Sequence, residues 1–182
     1  YNEFKSRQIP VSRNSLSDLL EYYEDAYLLF SVPEFTRSLA NNMRSASKVY
    51  AVDPAMFGAF SPASALDQGQ RLETAVFNAL RRRTPAVRIG SVCRLLIKEK
   101  SKSHEVDFVA GDALLMRAYS LIQVSVDMAS EKTREREIAA LDASMAQFDL
   151  GESAIVTMDE QADIPCEHGA VHVVPAWKWL LA

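Results

Sequence analysis

Asp107 sits inside the apolar run Glu105-Val106-Asp107-Phe108-Val109, and Gln123 follows sixteen residues later inside a second run, Leu121-Ile122-Gln123-Val124-Ser125. Glu73 lies upstream in a stretch with helical spacing. Glu73 and Asp107 are oxygen donors of the kind that hold a hard cation such as Mg²⁺, which polarises a phosphate and helps to generate hydroxide. Gln123 can add a neutral carbonyl oxygen to such a set. Carboxylates brought together without a cation repel one another. Plainer roles stay open for the same residues. Glu73 can face solvent or pair with Arg81-Arg82-Arg83, and Asp107 can lie on the solvent face of a half-buried sheet.

The other polar candidates carry less. Arg81, Arg82 and Arg83 end a helix, where the dipole favours cations; contact with the phosphates of a nucleic acid is the sharper reading. Glu131 to Glu137 alternates in charge and reads as a solvated helix face, from which Arg136 can project toward the site. His104, His168 and His172 have no partner spacing that marks a ligand or a base. Trp177 and Trp179 read as core or interface anchors. Cys93 and Cys166 lie far apart with no CxxC, which argues against zinc and fits a reduced, cytoplasmic setting. No G-x-x-x-x-G-K-[ST] loop and no G-x-S-x-G elbow occurs.

The elements that must position these groups can be read from periodicity. Ser12 predicts a helix cap, with Leu16, Leu19, Leu20 and Tyr23 forming one stripe behind it. Ala26 to Val32 reads as a strand ended by Pro33, Phe35 to Arg44 as extended, and Lys48 to Asp53 as a short strand. Pro54 suits the first turn of a helix to about Phe60. Ser61-Pro62-Ala63-Ser64 then predicts a loop and a boundary between segments 1–60 and 61–182. Beyond it come a helix over 67–83 with Leu72, Val76, Ala79 and Leu80 on one face, then strands over 92–98, 105–110 and 121–126. A charged loop is expected over 99–104 and a turn at Gly111-Asp112. A helix over 131–147 follows, buried along Ile138, Leu141 and Met145. Strands over 153–157 and 171–174 complete the pattern. The order is αβββαβ, a mixed α/β fold.

The composition agrees with a packed protein. Of 182 residues 48% are apolar and only six are glycine, while the formal net charge is −4. That charge does not suggest an indiscriminate nucleic-acid binder. No apolar run reaches the ~18–20 residues that span a bilayer, and no signal peptide opens the chain, so no membrane is expected as a partner. The start at Tyr1 predicts a fragment or processed form of a longer chain.

Several segments taken in order resemble one family. They are Lys48 to Asp53, Gly69 to Arg83, Glu105 to Val109, Leu121 to Ser125, Arg136-Glu137-Ile138 and Val174 to Leu181. Together they are similar to the C-terminal half of the predicted AAA+-type ATP-binding proteins of bacteria and archaea, a domain of unknown function related to the PD-(D/E)XK nuclease fold. The resemblance implies a restriction-endonuclease-like αβββαβ core. Its opening helix and strand resemble the last helix and wing of a winged helix-turn-helix. It also implies a degenerate catalytic station at Glu73, Asp107 and Gln123, with Mg²⁺ on Glu73 and Asp107, and basic contacts from the Arg81–83 triplet and Arg136. The E-x-K triplet of such nucleases reads Gln123-Val124-Ser125 here. Loss of a positioned electrostatic donor typically costs about 10²–10³ in rate, so the resemblance implies binding rather than cleavage. ATP is expected only in an N-terminal P-loop module, which would be this domain's partner beside nucleic acid or a second copy.

Overall fold

The structure, a computed structural model, describes residues 2–38, 47–56, 67–83, 91–98 and 103–182. Two helices open it, α1 (Asn2–Ser6) and α2 (Arg13–Asp25). Ser12 caps α2 as its sequence predicts: the Ser15 N–H donates to Ser12 Oγ at 2.9 Å, meeting one of the donors a helix start leaves open. Strands β1 (Leu29–Val32) and β2 (Lys48–Ala51) then pair antiparallel in a sheet of their own. The predicted loop at 61–64 and most of the helix expected after Pro54 lie outside the described residues.

The main sheet follows. Helix α3 (Asp67–Arg83) leads into β3 (Val92–Lys98), β4 (Ser103–Asp112) and β5 (Arg117–Val124), a run of antiparallel neighbours. Helix α4 (Glu131–Phe148) carries the chain over to β6 (Glu152–Thr157), which pairs parallel with β5. Then come β7 (Ala162–Pro165), β8 (Ala170–Pro175) and a short α5 (Ala176–Leu181). The six strands lie in the order β3-β4-β5-β6-β8-β7, a mixed sheet. The αβββαβ order expected from periodicity is present. Among the described residues no helix is long and apolar enough to cross a membrane.

Each sheet face carries a core. Leu141 and Met145 of α4 pack with Val106, Val109, Leu121, Ile155 and Val171. On the other face Leu72, Val76, Phe77 and Leu80 of α3 meet Phe108, Ile122 and Val156. Val32 and Tyr50 of the small sheet join this second core, so β1 and β2 share their hydrophobic contacts with α3 and β4. Helix α2 buries no residue at all.

Two departures from the sequence reading matter for the site. Strand β4 is longer than 105–110 and runs through Gly111-Asp112, which form no turn; the turn lies at 113–116. Gly111 sits at a register shift between β4 and β5. A Cβ there would fall 2.4 Å from the Arg117 carbonyl oxygen and 3.0 Å from Ala118 Cα, both backbone atoms that cannot rotate away. Gly111→Ala is therefore expected to destabilise the fold by about 1–3 kcal/mol, seen as a lower denaturant midpoint with an unchanged slope.

A second shift, between Cys93 and Leu95, lies opposite Asp107 and Phe108. Val106 and Val109 pack on the α4 face. Phe108, between them, packs on the α3 face. A bulge of this kind re-aims side chains without ending the strand. Asp107 and Phe108 are the residues it redirects.

Candidate functional site

Glu73 of α3 and Asp107 of β4 converge, and what joins them is a lysine. Lys48 Nζ lies 2.9 Å from Glu73 Oε1, 2.9 Å from Asp107 Oδ1 and 3.0 Å from Glu105 Oε1. Glu73 therefore pairs with Lys48 rather than with the Arg81–83 triplet. Asp107 is only 7% exposed, which overturns its reading as the solvent face of a half-buried sheet.

The remaining bonds hold this arrangement in place. Asp107 Oδ2 accepts from the Val124 N–H at 3.0 Å, and Gln123 Oε1 accepts from the Asp107 N–H at 3.1 Å. Gln123 is thus beside Asp107, with its carbonyl oxygen already engaged by the sheet. Ser125 Oγ donates to the Asp127 carbonyl. Tyr50 OH donates to Glu73 Oε1 at 2.5 Å, the oxygen that Lys48 also binds. Its ring stacks on Phe77, with centroids 4.7 Å apart.

The electrostatics follow from partial burial of opposed charges. Burial by itself pulls the Lys48 ammonium toward neutrality, but the charges of Asp107 and Glu73 outweigh it and hold Lys48 above the usual lysine range. Burial, then the Glu73 carboxylate, keeps the Tyr50 phenol protonated well above its ordinary range. Burial and the neighbouring Glu73 push the Asp107 carboxyl up to about 6, against the downward pull of Lys48 and the Val124 N–H.

A cavity of about 300 Å³ opens on the α4 side of Asp107, lined by Glu105, Gln123, Arg136 and Glu137 among others. Glu137 is 7% exposed, so the run 131–137 is not wholly a solvated face. Arg136 donates to Glu137 Oε1 at 2.5 Å, which brings this arginine to the rim of the cavity as an ion-pair partner. His104 also lines it, with Nδ1 buried and not hydrogen-bonded. A second cavity, about 280 Å³, lies beside Lys48, Tyr50, Gln70 and Glu73.

The arginine triplet stands apart from these groups. Arg81 lies over the Phe30 ring at 3.6 Å. Arg83 donates to the carbonyls of Trp179 and Leu180 and stacks on Trp179, where it satisfies the end of α5. Arg82 is exposed. Trp177, expected as an anchor, is 62% exposed. Asp142, Glu167 and His168 form a further cluster, but both Asp142 oxygens already accept from His168, through its backbone N–H and its ring. That pair holds a turn.

Mg²⁺ takes oxygens at about 2.0–2.1 Å in near-ideal octahedral geometry. The three carboxylates stand 2.9–3.0 Å from one point, and that point is an ammonium nitrogen. As they stand they do not fit Mg²⁺. The residues that periodicity and spacing missed are Lys48, Tyr50 and Glu105. The available signal was the alternation in Lys48-Val49-Tyr50, which sets Lys48 and Tyr50 on one face of the strand.

The fold and site define a mixed α/β protein with an acidic site closed by a lysine. No family model and no solved structure matches the chain. Over 187 residues it is 32% identical to an uncharacterized protein of Methanocaldococcus jannaschii, in an alignment covering 99% of this chain. The chain spans 39% of the length of that relative.

Proposed function

We propose that the chain is a PD-(D/E)XK nuclease-like module that does not cut, and that it serves an ATPase module of a longer protein as a binding domain. One observation carries this reading. The two positions that would hold the acid and lysine of the E-x-K triplet, Gln123 and Ser125, are engaged in structural hydrogen bonds to Asp107 N–H and Asp127 O. Neither is placed to act on a phosphate. The αβββαβ element order supports the ancestry, and the longer relative leaves room for a second module. In this reading the opening helix and β1 descend from the last helix and wing of a winged helix, and the strand packs on the main domain through Val32.

A metal-dependent nuclease is the second reading, favoured by Lys48, which returns an ammonium to the neighbourhood of Asp107. Plasmid incubated with Mg²⁺ or Mn²⁺ separates the two. The expected result is no cleavage above that of an Asp107→Ala control. Cleavage by the wild type that disappears in Asp107→Ala would overturn the non-catalytic reading. A fluorescence titration with DNA and RNA at two salt concentrations then identifies the ligand. Binding that weakens with salt marks nucleic acid, because phosphate contacts release counterions. No binding at low salt assigns the module to a protein partner.

A further inference from the structure

We propose that Lys48 is the resident cation of this site, its ammonium standing where a divalent metal ion would otherwise join Glu73, Asp107 and Glu105. An ammonium has three donors and no acceptor. Here it donates to Glu73 Oε1 and Asp107 Oδ1 at 2.9 Å each, and it stands as an ion-pair partner 3.0 Å from Glu105 Oε1, which accepts no hydrogen bond among the described residues. For Mg²⁺ each of those oxygens would have to close in by about 0.9 Å. Lys48 itself would have to leave, since a dication beside an ammonium adds like-charge repulsion in a half-buried setting.

The fold works against that departure. Lys48 opens β2, which is pinned by its pairing with β1 and by Tyr50 two residues further on. Tyr50 packs between Phe77 and Phe108 and bonds the same Glu73 oxygen as Lys48 does. Glu73 is therefore held by two donors from one strand. Arg94, 3.6 Å from Glu105 Oε1, adds a second positive charge at the rim. Lys48 and Arg94 together offset two of the three carboxylate charges from within the chain, which leaves less for a metal to neutralise. This holds whichever macromolecule the module binds, and the cleavage assay above tests that other reading separately.

Mn²⁺ is the probe, with free ion counted by paramagnetic resonance and thermal midpoints followed alongside. The wild type is expected to show no saturable site up to millimolar Mn²⁺ and no rise in midpoint. Lys48→Ala is expected to bind Mn²⁺ at least about tenfold more tightly than the wild type and to gain thermal stability from it. That gain should vanish in Lys48→Ala/Asp107→Asn. Folding of Lys48→Ala only when Mn²⁺ is present would support the proposal equally. A saturable wild-type site that is lost in Asp107→Asn would overturn it, as would a folded Lys48→Ala that binds no more tightly than the wild type. Should Lys48→Ala fail to fold in either condition, the wild type and Asp107→Asn decide. A Lys48 ammonium proton signal that stays slow to exchange and unmoved by Mn²⁺ supports the assignment, and displacement of that signal overturns it.

Discussion

Phe108→Ala is expected to cost about 3–5 kcal/mol, a large fraction of the about 5–15 kcal/mol that holds an ordinary domain folded. Phe108 is fully buried, and its ring packs 5.4 Å from Tyr50 and 6.2 Å from Phe77, while those two stack on each other. The three rings come from β4, β2 and α3, so this cluster ties the small sheet to the main one. Truncation leaves a cavity that three elements of different sequence position would have to close together. The loss should reach Lys48, because Tyr50 sets the position of β2. Chemical denaturation of Phe108→Ala and Phe108→Leu provides the measurement, with Tyr119→Ala as a control at a residue 58% exposed. Leucine keeps most of the volume and should cost less than about 1.5 kcal/mol, and the surface control should stay within about 0.5 kcal/mol. A loss below about 1 kcal/mol for Phe108→Ala would contradict the packing described.

The same cluster shows which parts of the molecule were legible in the sequence. Helices α3 and α4 announce themselves through Leu72, Val76 and Leu80 and through Leu141 and Met145, because buried residues recur at helical spacing on one face. Strand β3 is equally plain, as a run of Val92 to Lys98. By contrast β7 has four residues, including Asp163 and Pro165, and pairs on one side only, so neither alternation nor propensity marks it. Helix α5 is six residues long, too short for a helical period to emerge. Gly111-Asp112 has turn composition, but the glycine is required by the close approach of Arg117 O rather than by a turn.

The site divides in the same way. Asp107 stood out because it interrupts an apolar run, and Glu73 because it sits on a periodic helix. Lys48 lies 25 residues from Glu73 and 59 from Asp107, and no local pattern encodes a bond across such separations. Glu137 was masked by its neighbours, since a charged run looks solvated even where one member turns inward.

Removing Lys48 should expose the cost of the acidic cluster, and that cost should depend on pH. A carboxyl whose folded pKa lies above its ordinary value of about 3.9 holds its proton more tightly in the folded state, so stability falls as pH rises through that interval. For Asp107 the interval runs from about 4 to about 6 in the wild type. Lys48 acts in the opposite direction: its raised pKa contributes stability fully present below the ordinary lysine value of about 10.4 and lost only above it. Lys48→Ala therefore removes a favourable contribution that spans the whole neutral range. It also removes the charge that lowers Asp107, whose carboxyl must then rise further, extending the fall in stability toward neutral pH.

Breaking a buried ion pair by deleting one partner costs about 3–5 kcal/mol. Lys48 keeps 29% of its side chain exposed, so the lower end, about 3 kcal/mol at pH 7, is the expectation. Near pH 4, with Asp107 protonated in both proteins, the difference should shrink. Asp107→Asn placed in the Lys48→Ala background should recover a large part of the loss at pH 7, since the two sites share one interaction and cannot act additively. Urea midpoints for the wild type, both single variants and the double variant between pH 4 and 8 contain the answer. Parallel pH profiles for the wild type and Lys48→Ala, offset by a constant, would mean that Lys48 contributes packing alone. Converging profiles at low pH would mean that its charge is what allows three carboxylates to share one site.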